Sequence, residues 1–382
     1  MKRANDLLRH KKQVTLKSYA QNIMKKYKVG ILGATGTVGQ KFTTLLQNHP
    51  WFEIEILAAG PNSAGKTYSQ AVENRWIMDT SIPPEIKNKI VYDAVKDAEK
   101  ITKSVDFVFC ALSMNKGEIK MLEEKYAKSE CPVISNNSAN RNVPDVPMII
   151  PEINASHIDI IPYQRKRLGT KKGFTAVKSN CSIQCYVPAL HPLFEFGIDR
   201  ILVCTYQAIS GAGKNFTTWP EMKDNIIPFI QGEEEKSEQE PLKIWGKIEN
   251  GKIIPNSNIS ITSQCLRVPV TNGHTAAVFT SFKNKISPEI AIEKLKSFKG
   301  HEKSRNLPSS TSQFITYFED SSRPQIKLDR NIEKGMGIAV GRMRNDSQYD
   351  LKFVCMSHNT VRGAAGGAIL LAEMLCREGY IS

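Results

Sequence analysis

The sequence predicts an α/β protein: a Rossmann-type dinucleotide-binding domain joined to an α+β catalytic and dimerisation domain built on a mixed sheet. Three observations carry that expectation. The first half alternates short apolar strands with amphipathic helices, the pattern of a parallel sheet with crossover helices. A glycine-spaced turn, Gly33-Ala-Thr-Gly36-Thr-Val-Gly39, joins the first strand to the first helix. At 382 residues the chain exceeds the usual size of one hydrophobic core, so two domains are expected.

The elements follow in order. Lys28-Val-Gly-Ile-Leu32 is a short apolar strand, and Thr37 to Asn48 has helical periodicity with Val38, Phe42, Leu45 and Leu46 on one side. Phe52 to Ala59 is a second strand. A strand-like Ile101 region ends in Val105 to Ala111, a helix covers Gly117 to Lys128, and Pro132 to Ser135 is a further strand. Arg165 to Lys172 is a basic, exposed connector. From Gly173 to Phe279 the chain reads differently, with strand-like Ile201–Gln207 and Thr275–Ser281, and a helix follows at Ala291–Phe298. Gly363 to Leu375 sets small residues against large apolar ones, which suits a helix packed closely on a sheet and returning to the first domain. The expected boundaries are a basic extension over 1–26, a cofactor domain over 27–170 with the terminal helix 359–382, and a catalytic domain over 171–358.

The hydrophobic fraction of 41% and charged fraction of 24% are ordinary globular values, and no apolar run reaches the roughly 20 residues a membrane span needs. The net charge of +14 is uneven: residues 1 to 28 carry nine Lys or Arg and one Asp, leaving +6 for the other 354. Met24 stands just before the first strand, so residues 1 to 23 read as a dispensable extension. A nucleic-acid role for that tail is disfavoured because it lacks interleaved aromatics. Eight scattered cysteines without a CxxC pair fit a reducing, cytoplasmic setting and no metal site. Cys185, one turn after Cys181, is either a packed helix residue or a partner for a regulatory disulfide.

Glycines 33, 36 and 39 suit a tight turn, a close phosphate approach and helix packing, with the amides of Thr35, Thr37 and Val38 at the helix start turned to a pyrophosphate. The second strand ends without an acidic residue to meet a ribose hydroxyl, and Ser63 and Lys66 could hold a 2′-phosphate instead. That tilts the cofactor to NADP, with NAD possible and a solvated glycine-rich loop as the structural alternative.

In Lys178-Ser-Asn-Cys181-Ser-Ile-Gln184, Cys181 is the candidate nucleophile, and His274 in Arg267-Val-Pro-Val-Thr-Asn-Gly-His274 is its candidate base. A thiol attacks a carbonyl as thiolate, and an imidazole beside it shifts that equilibrium. A reactive thiol beside a nicotinamide site points to oxidation or reduction at the acyl level. His191 and His358 are weaker contenders.

The ordered motifs resemble the aspartate-semialdehyde dehydrogenase family in its archaeal and fungal-like branch, from Tyr27 onward. They are the glycine turn, Ser135-Asn-Asn-Ser-Ala-Asn-Arg141, Ser179-Asn-Cys-Ser182, Gln207-Ala-Ile-Ser-Gly-Ala-Gly213, Gly232-Glu-Glu-Glu-Lys236 and Arg267 to His274. The resemblance implies reversible reductive dephosphorylation of L-4-aspartyl phosphate to L-aspartate 4-semialdehyde through a cysteine thioester, in the biosynthesis of lysine, methionine and threonine. It implies that Gln207 orients the reacting groups, and that Arg267, Glu233, Lys236, Arg141 and Asn137 bind substrate. Charge complementarity fits the charged ones: a guanidinium for the α-carboxylate, a carboxylate for the ammonium, with the choice open among Glu233, Glu234 and Glu235, and cations for the phosphate. Ser210, Gly211 and Asn359 fall to the nicotinamide end, helix capping being the alternative for Asn359. The expected partners are small-molecule substrates and a second or further copies of the chain, as homodimer or homotetramer, with no nucleic acid and no membrane. The family often has Arg where Asn62 stands, a departure that bears on cofactor preference. The rival readings are a malonyl-CoA or succinyl-CoA reductase, and an N-acetylglutamyl-phosphate reductase, whose Gly-Cys-Tyr context is absent.

Overall fold

The computed structural model describes residues 26–382, so the expectations for residues 1–23 and for the basic extension up to Lys25 lie outside the described residues. The first sheet is built from β1 (Tyr27–Leu32), β2 (Phe52–Ala59), β3 (Val91–Asp93), β4 (Phe107–Cys110), β5 (Val133–Ser135), β6 (Met148–Ile149) and β7 (Thr175–Lys178). The crossovers include α1 (Thr37–Leu45), α2 (Ala98–Ser104), α3 (Lys116–Lys128) and α4 (Ile161–Leu168). All pairs are parallel in the order β3-β2-β1-β4-β5-β7-β6. Helices cover both faces, and all four residues of β4 are buried, which is why it reads as an unbroken apolar run. The chain moves outward from β1 to β3 and returns to β4 on the other side of β1. The carboxyl ends of β1 and β4 therefore form the switch point where ligands bind such sheets.

After β7 the chain turns into α5 (Ile183–Leu190) and enters a second, mixed sheet with order β11-β8-β12-β15-β14-β13. Its strands are β8 (Ile198–Gln207), β11 (Ser260–Arg267), β12 (His274–Phe282), β13 (Ile315–Phe318), β14 (Ile338–Asn345) and β15 (Leu351–Ser357). Helix α6 (Glu233–Ile244) packs beside β11, a small hairpin of β9 (Lys247–Glu249) and β10 (Lys252–Ile254) follows it, and α7 (Pro288–Ser297) covers β13 and β14. Strand β8 alternates: Ile201 and Val203 are buried, while Leu202, Cys204 and Tyr206 lie on the more open face. Register places Val203 against Val278 and Val278 against Phe353, an apolar row facing α5. Each such side chain contributes about 1.5–3 kcal/mol by burial, so a charge at Val278 would break the row.

The terminal helix α8 (Gly366–Arg377) returns to the first sheet, where Ile369, Leu371 and Leu375 share a core with Val29, Phe109 and Ala176. Its small residues serve close approach: a Cβ on Gly367 would stand 2.5 Å from the Arg362 carbonyl oxygen and 3.0 Å from Lys178 Cε.

Two local expectations are corrected. The Ile101 region is helical, because Ala98 and Ile101 are buried three residues apart while Glu99, Lys100 and Lys103 face outward, and that period outweighs the β-branched residues. Arg165 to Leu168 is the last turn of α4, closed by Gly169 at φ 72°, and the Arg165 guanidinium lies over the Phe174 ring and donates to the Tyr380 carbonyl at 2.8 Å. Among the described residues no helix is long and apolar enough to cross a membrane.

Candidate active site

The segment of the candidate nucleophile lies where one sheet hands over to the other. Strand β7 ends at Lys178, and α5, buried along its whole length, packs against β12, β14 and β15. Between them Asn180 and Ser182 are buried while Cys181 is partly exposed. The Asn180 carbonyl oxygen of the side chain accepts from the Ser182 N–H at 2.7 Å and its hydroxyl at 3.0 Å, forming a local turn that fixes the residue between them. Asn180 donates its side-chain amide to both carboxylate oxygens of Glu233, at 2.9 and 3.0 Å, and its backbone N–H to Glu240 at 2.6 Å.

His274 opens β12, is fully buried, and sets Nε2 3.4 Å from Cys181 Sγ. Its Nδ1 accepts the Ala208 N–H at 3.0 Å, so the neutral ring carries its proton on Nε2, directed at sulfur. Burial, with Arg267 nearby, lowers the His274 pKa to about 3, against a smaller opposing pull from Glu233 and the Gly273 carbonyl. Burial, with Glu233 adding to it, raises the Cys181 thiol to about 11, while Lys178, Arg141 and Arg267 pull it down. The resting pair is therefore neutral thiol and neutral imidazole at pH 7.

Charged groups ring this pair. Arg267 is buried and donates to the Ala208 carbonyl at 2.7 Å. A Cβ on Gly211 would stand 2.9 Å from its Nη1 and 3.2 Å from His274 Nε2, so the Ser210–Gly211 turn must run as bare backbone over both. Glu233 accepts from Lys236 Nζ at 2.7 Å and from Gln207 Nε2 at 3.3 Å. Burial pushes its carboxyl up, but Lys236 and the two amides outweigh that and hold it below the ordinary value. Arg141 donates to Glu240 at 2.9 Å and to the Asn136 carbonyl at 3.0 Å. Lys178, buried against the first residues of α8, has its ammonium lowered to about 7, chiefly by burial.

The residues at the switch point fit a dinucleotide. Gly33, at φ 89°, abuts the Ala111 carbonyl, and Gly39 abuts Gly33, so both positions exclude a side chain. Gly36 has only the Gly33 carbonyl within 4 Å of an added Cβ, and as N-cap of α1 it leaves the first-turn amides of Thr37 and Val38 facing out. A Cβ on Gly213 would lie 3.8 Å from Thr37 Oγ1, which ties this loop to the turn beside His274. The Asn136 side-chain amide, at the carboxyl end of β5, is buried with no partner on either atom. Thr35 turns its carbonyl to Gln40 Nε2 at 3.0 Å. Ser63 is buried with its hydroxyl 3.4 Å from Arg75 Nη2, and Lys66 is exposed.

The structure thus brings together Cys181, His274, Gln207, Arg267, Glu233 and Lys236. Asn137 is not among them: its amide turns back to Cys110 Sγ at 3.2 Å and Glu123 at 3.3 Å, where it braces the loop. Asn359 bridges the Gly273 N–H and the Ser210 hydroxyl, both at 2.8 Å, steadying the strand that carries His274. His191 packs against Phe194 and Phe298, and His358 lies beside Gly335, near enough to His274 to lower its pKa but with its Nδ1 turned to the Thr360 hydroxyl at 3.4 Å. Cys185 is buried, its thiol donating to the Ser182 carbonyl at 3.2 Å. Sequence reasoning missed Glu240, whose one signal was its seven-residue spacing from Glu233 on a helix. It also missed Arg362, which is fully buried, pairs with both oxygens of Glu152 at 2.5 and 2.7 Å, and reaches Ser179 through Gln184. Nothing in the linear order joins those four.

Residues 28–161 match the family described as semialdehyde dehydrogenase, NAD binding domain, and residues 190–362 match semialdehyde dehydrogenase, dimerisation domain. The aspartate-semialdehyde dehydrogenase of Archaeoglobus fulgidus is 41% identical over 361 residues, 93% of this chain and 100% of that protein. That of Schizosaccharomyces pombe is 41% identical over 369 residues, 93% and 99% of the respective chains. The crystal structure of the Candida albicans aspartate semialdehyde dehydrogenase with NADP superposes with a TM-score of 0.84 at 36% identity, covering 94% of this chain and 100% of that one.

Proposed function

The chain belongs to the aspartate-semialdehyde dehydrogenase family of oxidoreductases, and from that membership we propose that it interconverts L-4-aspartyl phosphate and L-aspartate 4-semialdehyde through a thioester on Cys181, with NADP as cofactor, in lysine, methionine and threonine biosynthesis. The observation that carries the reading is Cys181 Sγ at 3.4 Å from His274 Nε2, with Arg267 and Glu233 both near enough to act on the charge of the pair.

Arg267 takes the substrate α-carboxylate, its guanidinium oriented by the Ala208 carbonyl. Glu233 takes the α-ammonium, and Lys236 with Arg141 takes the phosphoryl group. As Sγ attacks the acyl carbon its proton passes to His274 Nε2, phosphate leaves and the thioester forms. Nε2 takes that proton in the tautomer whose ring proton sits on Nδ1, so the ring first gives up the Ala208 N–H and the Gly273 carbonyl accepts from Nδ1–H, which favours the charged ring. A nicotinamide cofactor, when bound, supplies the hydride that takes the thioester to the aldehyde level. His274 returns its proton to the substrate oxygen, and collapse of the hemithioacetal frees the thiol. Gln207, tied to Glu233 and to the Thr205 hydroxyl, orients the reacting carbonyl.

The open face of the second sheet suits a second copy of the chain. Register lines up Leu202 with Phe279 and Cys204 with Ala277 and Val354, all partly exposed, beside Tyr206. We assign the homo-oligomer to this face, in a reducing, cytoplasmic setting consistent with eight free cysteines.

The test is phosphate-dependent reduction of NADP or NAD with aspartate semialdehyde, compared with consumption of malonyl-CoA. The reading expects activity in the first assay and a Cys181 acyl adduct by mass spectrometry. Equal activity on malonyl-CoA, or no adduct on Cys181, removes it.

A further inference from the structure

Glu240 lies 3% exposed on α6, seven residues after Glu233, which puts the two carboxylates on one face about 10 Å apart along the axis. They divide Asn180 between them: Glu233 holds its side-chain amide and Glu240 its backbone N–H at 2.6 Å. With the Asn180 side-chain oxygen on the Ser182 N–H, the residue before Cys181 is held at three points, leaving the direction of the thiol little freedom. The second Glu240 oxygen accepts from Arg141 Nη1 at 2.9 Å, and the Arg141 Nε is buried without a partner. One carboxylate thus joins the nucleophile turn to a guanidinium that retains an unsatisfied donor. A neutral side chain would support the N–H alone, and a charge pair would need only Arg141.

We propose that Glu240 is a positioning residue that couples an oxyanion held by Arg141 to the aim of Cys181. It rests on the reading of the site given above and deepens it. An anion on Arg141 competes with Glu240 for the guanidinium, so the carboxylate leans onto the Asn180 N–H and sets the thiol before attack. Glu240 contacts no reacting atom.

The experiment uses the full chain with Glu240→Gln, Glu240→Asp and Arg141→Gln, and two readouts. The first is the rate of Cys181 alkylation by iodoacetamide against pH, with and without inorganic phosphate, which requires no aspartate semialdehyde and stands even if the assigned substrate is wrong. The second is kcat and the KM for phosphate. In wild type, phosphate is expected to change the alkylation rate at least threefold. Glu240→Gln abolishes that response and lowers kcat at least tenfold with nicotinamide-cofactor affinity unchanged. Glu240→Asp, which keeps the charge but not the reach, behaves likewise. Adding Glu240→Gln to Arg141→Gln leaves the KM for phosphate where Arg141→Gln alone puts it, a non-additivity that a bracing role does not produce. A folded Glu240→Gln protein with a wild-type phosphate response and a kcat within twofold of wild type overturns the proposal. If that variant does not fold, Arg141→Gln decides: retention of the phosphate response without Arg141 overturns it equally.

Discussion

A Cβ on Gly363 would stand 2.8 Å from Cys181 Cβ, so the backbone of the turn before α8 is the wall against which Cys181 rests. Gly363→Ala is expected to push Cys181 off its line to His274. A displacement near 1 Å costs on the order of 100-fold in turnover, and the overpacking costs about 1–3 kcal/mol of stability. Steady-state kinetics beside a urea titration check both, and a variant with wild-type kcat contradicts the contact.

His274 titrates near pH 3 when folded and near 6.5 when unfolded, so its buried neutral ring favours the folded state above pH 6.5 and that contribution is lost as pH falls toward 3. The wild type should lose about 1.4 kcal/mol per pH unit more than His274→Gln between pH 6 and 4. Parallel unfolding free energies for the two proteins across that window would exclude the shift.

With the Cys181 thiol raised to about 11 and no thiolate at rest, alkylation by iodoacetamide in the absence of ligands should climb about tenfold per pH unit from pH 7 to 9. A plateau below pH 8 would mean a preformed thiolate and an error in the electrostatic picture.

Lys178 pulls the Cys181 thiol down from within the same buried cluster. Lys178→Met, of similar reach but uncharged, should slow alkylation about tenfold at pH 6, where the ammonium is charged, and far less at pH 9, where it is neutral. Unchanged alkylation at pH 6 would show the ammonium to be neutral or screened there.

Arg362→Met leaves Glu152 charged and buried without its bidentate partner. Removing one member of such a pair costs about 3–5 kcal/mol. Denaturant unfolding reads the loss; a change below 1 kcal/mol would mean that water or Lys178 takes over the carboxylate.

The local elements were legible because each is decided by neighbours in sequence. The Gly33 turn, the strand before it and the period of α1 need only nearby backbone sterics and side-chain spacing, and Glu233 and Lys236 are adjacent through one helical turn. Ile101 was misread because a short stretch with one β-branched apolar residue has little period of its own to report. The motifs around Cys181 and His274 could be picked out one by one, yet nothing in the linear order states that they meet.

What the sequence alone determined, then, was the two-part α/β architecture, the glycine turn at the switch point and the residue types able to run acyl chemistry. The tertiary structure alone decided that Asn137 faces inward, that Glu240 grips Asn180, and that Glu152, Gln184 and Arg362 brace the turn before Cys181. The physical reason is separation along the chain. Periodicity and turn chemistry act over a few residues, whereas a buried polar group takes whichever partner packing brings within 3 Å, and here those partners lie from 14 to 210 residues away.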